Sequence, residues 1–191
     1  MIDKKLLTVP NVLSFYRLAS FPFVLYLALH HDERLFVVFL VINLVTDALD
    51  GFIARTFNQK TEIGARLDSI ADVGTYILAV TGIFVFKMQE FNPYMTSFIV
   101  LIVLFFSTDI LSLIKFKRVS SLHLYSWKIG GYIQGGFFLV LFTIGFFPAF
   151  YYFTLWWGIL SSLENILVQL FLSEMKSNQK GLYWVLRNQR L

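Results

Sequence analysis

Cysteine is absent from this 191-residue chain, which excludes a disulfide framework, a thiolate zinc site and a thiol nucleophile. Charge is scarce: 15% of the residues are Asp, Glu, Lys or Arg, against about 25% in an average soluble domain. Internal repeats, low-complexity tracts and long linkers are missing too, so a single domain over 1–191 is expected. What fills the chain is apolar, 57% hydrophobic and 18% aromatic, a composition that suits a multispanning membrane protein. The net charge of +4 is not gathered in one basic stripe, so nucleic acid is not an expected partner.

Apolar runs of spanning length lie at about 12–30, 35–57, 67–88, 94–114, 129–147 and 149–172. They predict an all-α integral membrane fold of six helices, each near the 20 or so residues a bilayer requires. Residues 18–29 resemble a signal-peptide core, but His30-His31-Asp32-Glu33 follows with no small-x-small cleavage site, so a retained first span is expected. Fourteen of the sixteen lysines and arginines fall on one side of this arrangement, with only Arg34 and Lys87 opposite. The positive-inside rule then puts both termini in the cytoplasm, with Arg17 counted among the cations of that side. Residues 173–191 form a polar, basic tail whose Tyr183 and Trp184 suit a membrane interface.

Four carboxylates break the apolar pattern: Asp47 and Asp50 near the end of the second run, Asp68 and Asp72 at the start of the third. An ionised carboxylate at mid-bilayer costs roughly 2.5–3.5 kcal/mol, so four approach the order of 10 kcal/mol unless something cationic neutralises them. On a helix, Asp47, Asp50, Gly51 and Ala54 share an arc of about 100°, with Arg55 flanking it. Gly64, Asp68 and Asp72 recur at four-residue intervals and form a second stripe. Antiparallel helices joined by the short connection would bring both stripes to one depth, as an oxygen-rich cavity facing the cytosol and floored by small residues. Oxygen ligands without His or Cys select Mg²⁺ or Mn²⁺, and such ions commonly serve phosphate-bearing substrates. Pairing with Arg55 and Arg66 is the structural alternative, but two arginines cannot match four carboxylates.

The pattern D-x-x-D-G-x-x-A-R, eight residues, G-x-x-x-D-x-x-x-D over 47–72 resembles the signature of the CDP-alcohol phosphatidyltransferases, with Asp47, Asp50, Gly51, Ala54, Arg55, Gly64, Asp68 and Asp72 all present. Pro10-Asn11-Val12-Leu13-Ser14 with Arg17 resembles the family's N-terminal segment. The resemblance implies a six-helix membrane enzyme, a homodimer, in the bacterial inner membrane. Its phosphatidyl donor would be CDP-diacylglycerol, held on two Mg²⁺ or Mn²⁺ ions, and a small alcohol would displace CMP. It further implies metal ligation by Asp47, Asp50, Asp68 and Asp72, general-base work by Asp72, and nucleotide contacts from Gly51, Ala54, Arg55 and Gly64.

The acceptor alcohol is less legible. Asp68-Ser69-Ile70-Ala71-Asp72-Val73 departs from the D-P-x-A-D-K of phosphatidylglycerophosphate synthases and leans towards phosphatidylserine synthases. Chain length and the Lys128…Gln134 pair lean back, so glycerol 3-phosphate comes first, then serine, then other alcohols. Lys115, Lys117, Arg118 and Lys128 are candidates for a phosphate-bearing acceptor, or anchors for anionic lipid at about 1 kcal/mol each. Asp109 and Glu164 fit interhelical bracing, and His30, His31 and His123 fit loops. Membrane prenyltransferases also hold a pyrophosphate on aspartates but need two well-separated motifs. An acidic-pocket cation transporter or lipid-binding protein leaves Gly51, Ala54 and Arg55 unexplained.

Overall fold

The computed structural model describes residues 8–57, 59, 61–117, 122, 124–174 and 179–188. Its secondary structure is entirely helical among those residues: α1 (Val9–Leu29), α2 (Glu33–Thr56), α3 (Glu62–Phe86), α4 (Met88–Phe91), a 3₁₀ turn at Asn92–Tyr94, α5 (Met95–Phe116), α6 (Tyr125–Thr143), α7 (Pro148–Phe171) and α8 (Leu182–Asn188). Among the described residues, four stretches are long and apolar enough to cross a bilayer: Val9–Leu29, Glu33–Thr56, Arg66–Phe86 and Met88–Phe116. Helices also occupy the fifth and sixth expected runs. α7 carries Ser161, Ser162, Glu164, Asn165 and Gln169 within its apolar sequence.

The chain divides into two compact units, Met1–Phe91 and Asn92–Leu191. In the first, α1 packs against both α2 and α3. Thr8 caps α1 by accepting from the Asn11 backbone N–H at 3.4 Å, and Pro10 sits in the first turn, where its missing donor is harmless. Asp32 caps α2 through the Leu35 N–H at 3.1 Å, and Thr61 caps α3 through the Gly64 N–H at 2.9 Å. Val24, Leu27, Ala28, Phe36, Leu40, Leu78, Ala79, Ile83 and Phe91 form the buried apolar part. A Lys87–Glu33 ion pair of 2.8 Å ties the end of α3 to the start of α2. Outward-facing Phe15, Phe52, Val73 and Ile77 are exposed, as lipid-facing side chains of a membrane helix are.

In the second unit α5 and α6 each pack on α7. Gly158 allows the closest approach, since a β-carbon there would lie 2.6 Å from Leu101 Cδ1. Gly145, with φ +133°, takes the turn between α6 and α7 in a conformation that side chains rarely adopt. Ser161, Ser162, Asn165 and Gln169 of α7 are buried. Gln169 Nε2 donates to the Thr108 carbonyl at 2.9 Å and to Asn165 Oδ1 at 2.7 Å. Val185 of α8 packs with Leu122, Leu124, Val168 and Leu172, so part of the expected polar tail is a short helix with a buried apolar face.

Candidate active site

Polar residues recur every third position along α1, at Asn11, Ser14, Arg17 and Ser20. Such a row forms a ridge on the helix surface, and each member meets a polar group of α2, α3 or the α3 cap. Asn11 Nδ2 donates to Thr61 Oγ1 at 3.3 Å. Ser14 Oγ lies 3.2 Å from both Asp50 Oδ2 and the Pro10 carbonyl. Ser20 Oγ donates to Oδ1 of the buried Asn43 at 3.2 Å.

Arg17 forms the centre. Its Nη1 donates to Asp47 Oδ1 at 2.5 Å and to Asp72 Oδ1 at 2.8 Å; its Nη2 donates to Asp50 Oδ2 and Asp68 Oδ1, both at 2.7 Å. A guanidinium has four Nη hydrogens, and here each is directed to a different carboxylate. The four aspartates expected to act together therefore lie on a single cation, two from α2 and two from α3. Charge assistance makes such bonds short and strong. The Arg17 side chain is fully buried and Asp50 nearly so, whereas Asp47, Asp68 and Asp72 are 44%, 42% and 52% exposed. Ligand atoms of Asp47, Asp50 and Asp68 lie within 4.8 Å of one another, close enough to hold a metal ion.

Two sequence expectations change here. Arg17 is not an exposed cation: it lies inside α1 with a fully buried side chain, because four acids surround its guanidinium. Nor are Arg55 and Arg66 the only arginines to weigh against the quartet, since Arg17 meets every member of it. Four polar residues at three-residue spacing, an arginine among them, in an otherwise apolar helix were the available signal.

The small residues of the motif have separate local causes. The Arg55 guanidinium folds back over Gly51, reaching 3.4 Å from where a β-carbon would stand; Ala54 is half-buried beside it. At Gly64 the constraint is severe, for a β-carbon would fall 2.1 Å from Asn11 Oδ1 and 2.7 Å from Thr61 Oγ1. Gly64→Ala is expected to lower stability by about 1–3 kcal/mol, the range for overpacking. Adding Asn11→Ala should recover part of that loss. Thermal unfolding in detergent checks both, and a Gly64→Ala protein as stable as wild type would show that the contact yields freely.

The acceptor candidates lie in the second unit. Lys115 Nζ donates to the carbonyls of Gln169 and Leu170, at 2.8 and 2.9 Å, at the end of α7, where a cation is favoured by the helix dipole. Lys117 ends α5 in a left-handed conformation, φ 58°. Lys128 Nζ sits 5.8 Å from the Tyr125 ring centroid. Arg118 and His123 lie outside the described residues. Glu164 accepts from Ser126 Oγ and, at 2.9 Å, from the backbone N–H of Leu182, where α8 begins. Asp109 is half-buried on α5.

Apolar helices of bilayer length and a cluster of carboxylates able to hold a metal define a membrane protein with an acidic centre. A model of the CDP-alcohol phosphatidyltransferase family matches residues 7–164, and the chain belongs to that family. Among curated relatives, the CDP-diacylglycerol–glycerol-3-phosphate 3-phosphatidyltransferase of Aquifex aeolicus is 34% identical over 87 residues, 46% of this chain and 49% of that one. A putative cardiolipin synthase of Mycobacterium tuberculosis is 42% identical over 73 residues, 38% of this chain and 35% of that one. The CMP-forming cardiolipin synthase of Rattus norvegicus is 42% identical over 66 residues, 34% of this chain and 22% of that one. The matched stretches thus span half or less of these relatives. No solved structure matches the chain.

Proposed function

We propose that this protein is a membrane phosphatidyltransferase that moves the phosphatidyl group of CDP-diacylglycerol onto an alcohol and releases CMP. The observation that carries the reading is the convergence of Asp47, Asp50, Asp68 and Asp72 from two helices onto one point, with three of them partly exposed. The donor set, oxygens alone, fits Mg²⁺ or Mn²⁺. Two such ions, held by the four aspartates, would neutralise charge on the diphosphate oxygens of the donor.

The remaining chemistry falls to the chain's own residues. Asp72, the most exposed of the four, accepts the proton of the attacking hydroxyl. The alcohol oxygen bonds to the phosphorus that bears the diacylglycerol, and the bond from that phosphorus to the CMP oxygen breaks. Arg55, with Gly51, Ala54 and Gly64 beside the acids, contacts the nucleotide. Asn11 and Thr61 fix the start of α3 and hence the position of Asp68 and Asp72. A single domain of six spans (α1, α2, α3, α5, α6 and α7), with both termini and a polar cavity on the cytosolic face of a bacterial inner membrane, completes the reading, as does assembly as a homodimer.

Glycerol 3-phosphate is the first acceptor to test, and the Aquifex relative's name supports it. The relatives named cardiolipin synthase favour a second reading, in which phosphatidylglycerol is the alcohol and cardiolipin the product. Purified protein incubated with CDP-diacylglycerol and glycerol 3-phosphate, serine or phosphatidylglycerol should release CMP with at least one of them. Product mass then identifies the acceptor. CMP release with none of the tested alcohols would count against the assigned reaction.

A further inference from the structure

We infer that Arg17 is a permanent positioning residue beneath the ion site, a built-in counterion that keeps the four aspartates assembled before any metal binds and stays in place afterwards. The inference deepens the proposed function, since it rests on the aspartates being metal ligands.

Three observations support it. Arg17 has no side-chain exposure, while Asp47, Asp68 and Asp72 are each about half exposed; the guanidinium therefore lies on the protein side of the cluster and the open side is carboxylate. Each aspartate meets Arg17 through one oxygen only, Asp47, Asp68 and Asp72 through Oδ1 and Asp50 through Oδ2. The other oxygen of each carries no bond to Arg17, and in this inference it serves the metal. Finally, Arg17 does not hold α1 in place alone. Ser14 to Asp50, Asn11 to Thr61 and Ser20 to Asn43 fasten the helix on both sides of it, so withdrawal of the guanidinium would break a whole seam.

Electrostatics gives the role its effect. Four acids crowded without a cation repel one another, and removing one partner of a buried ionic network is strongly destabilising. With Arg17 present the metal-free protein keeps a formed cup, and metal adds to it without having to assemble it. Without Arg17, divalent ions would have to supply the charge that holds the aspartates of α2 and α3 together.

The test compares wild type, Arg17→Gln and Arg17→Lys in detergent, without substrate, by thermal unfolding in EDTA and in millimolar Mg²⁺. In EDTA, Arg17→Gln should melt about 10 °C below wild type. Mg²⁺ should raise its midpoint further than it raises that of wild type. Arg17→Lys, which keeps the charge but not the fan of donors, should fall between. Equal midpoints in EDTA, or a loss in Arg17→Gln of the same size in EDTA and Mg²⁺, would overturn the inference, because a merely structural arginine would give the latter. If Arg17→Gln cannot be recovered, Arg17→Gln/Asp50→Asn decides. A double variant that is recovered supports the counterion role, and one no better than the single variant overturns it. Mn²⁺ binding to wild type, followed by electron paramagnetic resonance, tests the metal reading separately, so failure of one claim is not mistaken for failure of the other.

Discussion

Asp72→Asn should release CMP from CDP-diacylglycerol at least about 100-fold more slowly than wild type, at the low end of what a positioned general base contributes. The substitution preserves shape and can still accept from Arg17, but an amide has no carboxylate to take the hydroxyl proton. Of the four aspartates Asp72 is the most exposed, at 52%, and so the best placed to meet an incoming alcohol while one oxygen stays on Arg17. Asp50, almost fully buried between Arg17 and Ser14, is ill suited to that task. Because Asp72 is also a proposed ligand, CMP release is to be measured across a Mg²⁺ titration. A base defect persists at saturating metal, whereas a ligand defect is relieved there. Turnover retained at all metal concentrations would remove Asp72 from its assigned role.

The two acidic stripes were legible in the sequence because helical spacing alone places Asp47 with Asp50 and Asp68 with Asp72, and because charge in an apolar run is conspicuous. The helices at the expected runs were legible for the same reason. Arg17 was not, since hydropathy treats an arginine near the start of a span as a cation of the membrane edge. Only the packing of α1 against both α2 and α3 shows that it faces inward. The close approach at Gly64 was not legible either, since Asn11 Oδ1, 2.1 Å from where a β-carbon would be, belongs to a residue far away in the chain. In the second unit the apolar run at 149–172 was legible as α7, but what its polar residues bond was not. Their partners, such as Ser126 and the Leu182 N–H for Glu164, come from segments that no local pattern connects to it.

Metal removal should have an effect at least as large as that of Asp72→Asn, and of a different kind. The four aspartates with Arg17 carry a net charge of −3 when all the acids are ionised, and the donor's diphosphate is itself anionic. At 5 Å and an effective dielectric of 20, each unopposed like-charge pair costs roughly 3 kcal/mol, which is more than about 100-fold in binding. Exhaustive chelation with EDTA should therefore reduce CMP release by at least that factor, chiefly by excluding the donor from the cup. Two divalent ions turn the same cluster to a net charge of +1, so adding back Mg²⁺ or Mn²⁺ should restore turnover. Helix content should stay unchanged throughout, because Arg17 continues to hold the acids when the ions are gone. The two losses then separate cleanly: that of the chelated wild type is reversed by metal, whereas that of Asp72→Asn is not. Full turnover in the presence of excess EDTA would mean that the protein's own cations suffice for the diphosphate, and would remove metal ions from the proposed mechanism.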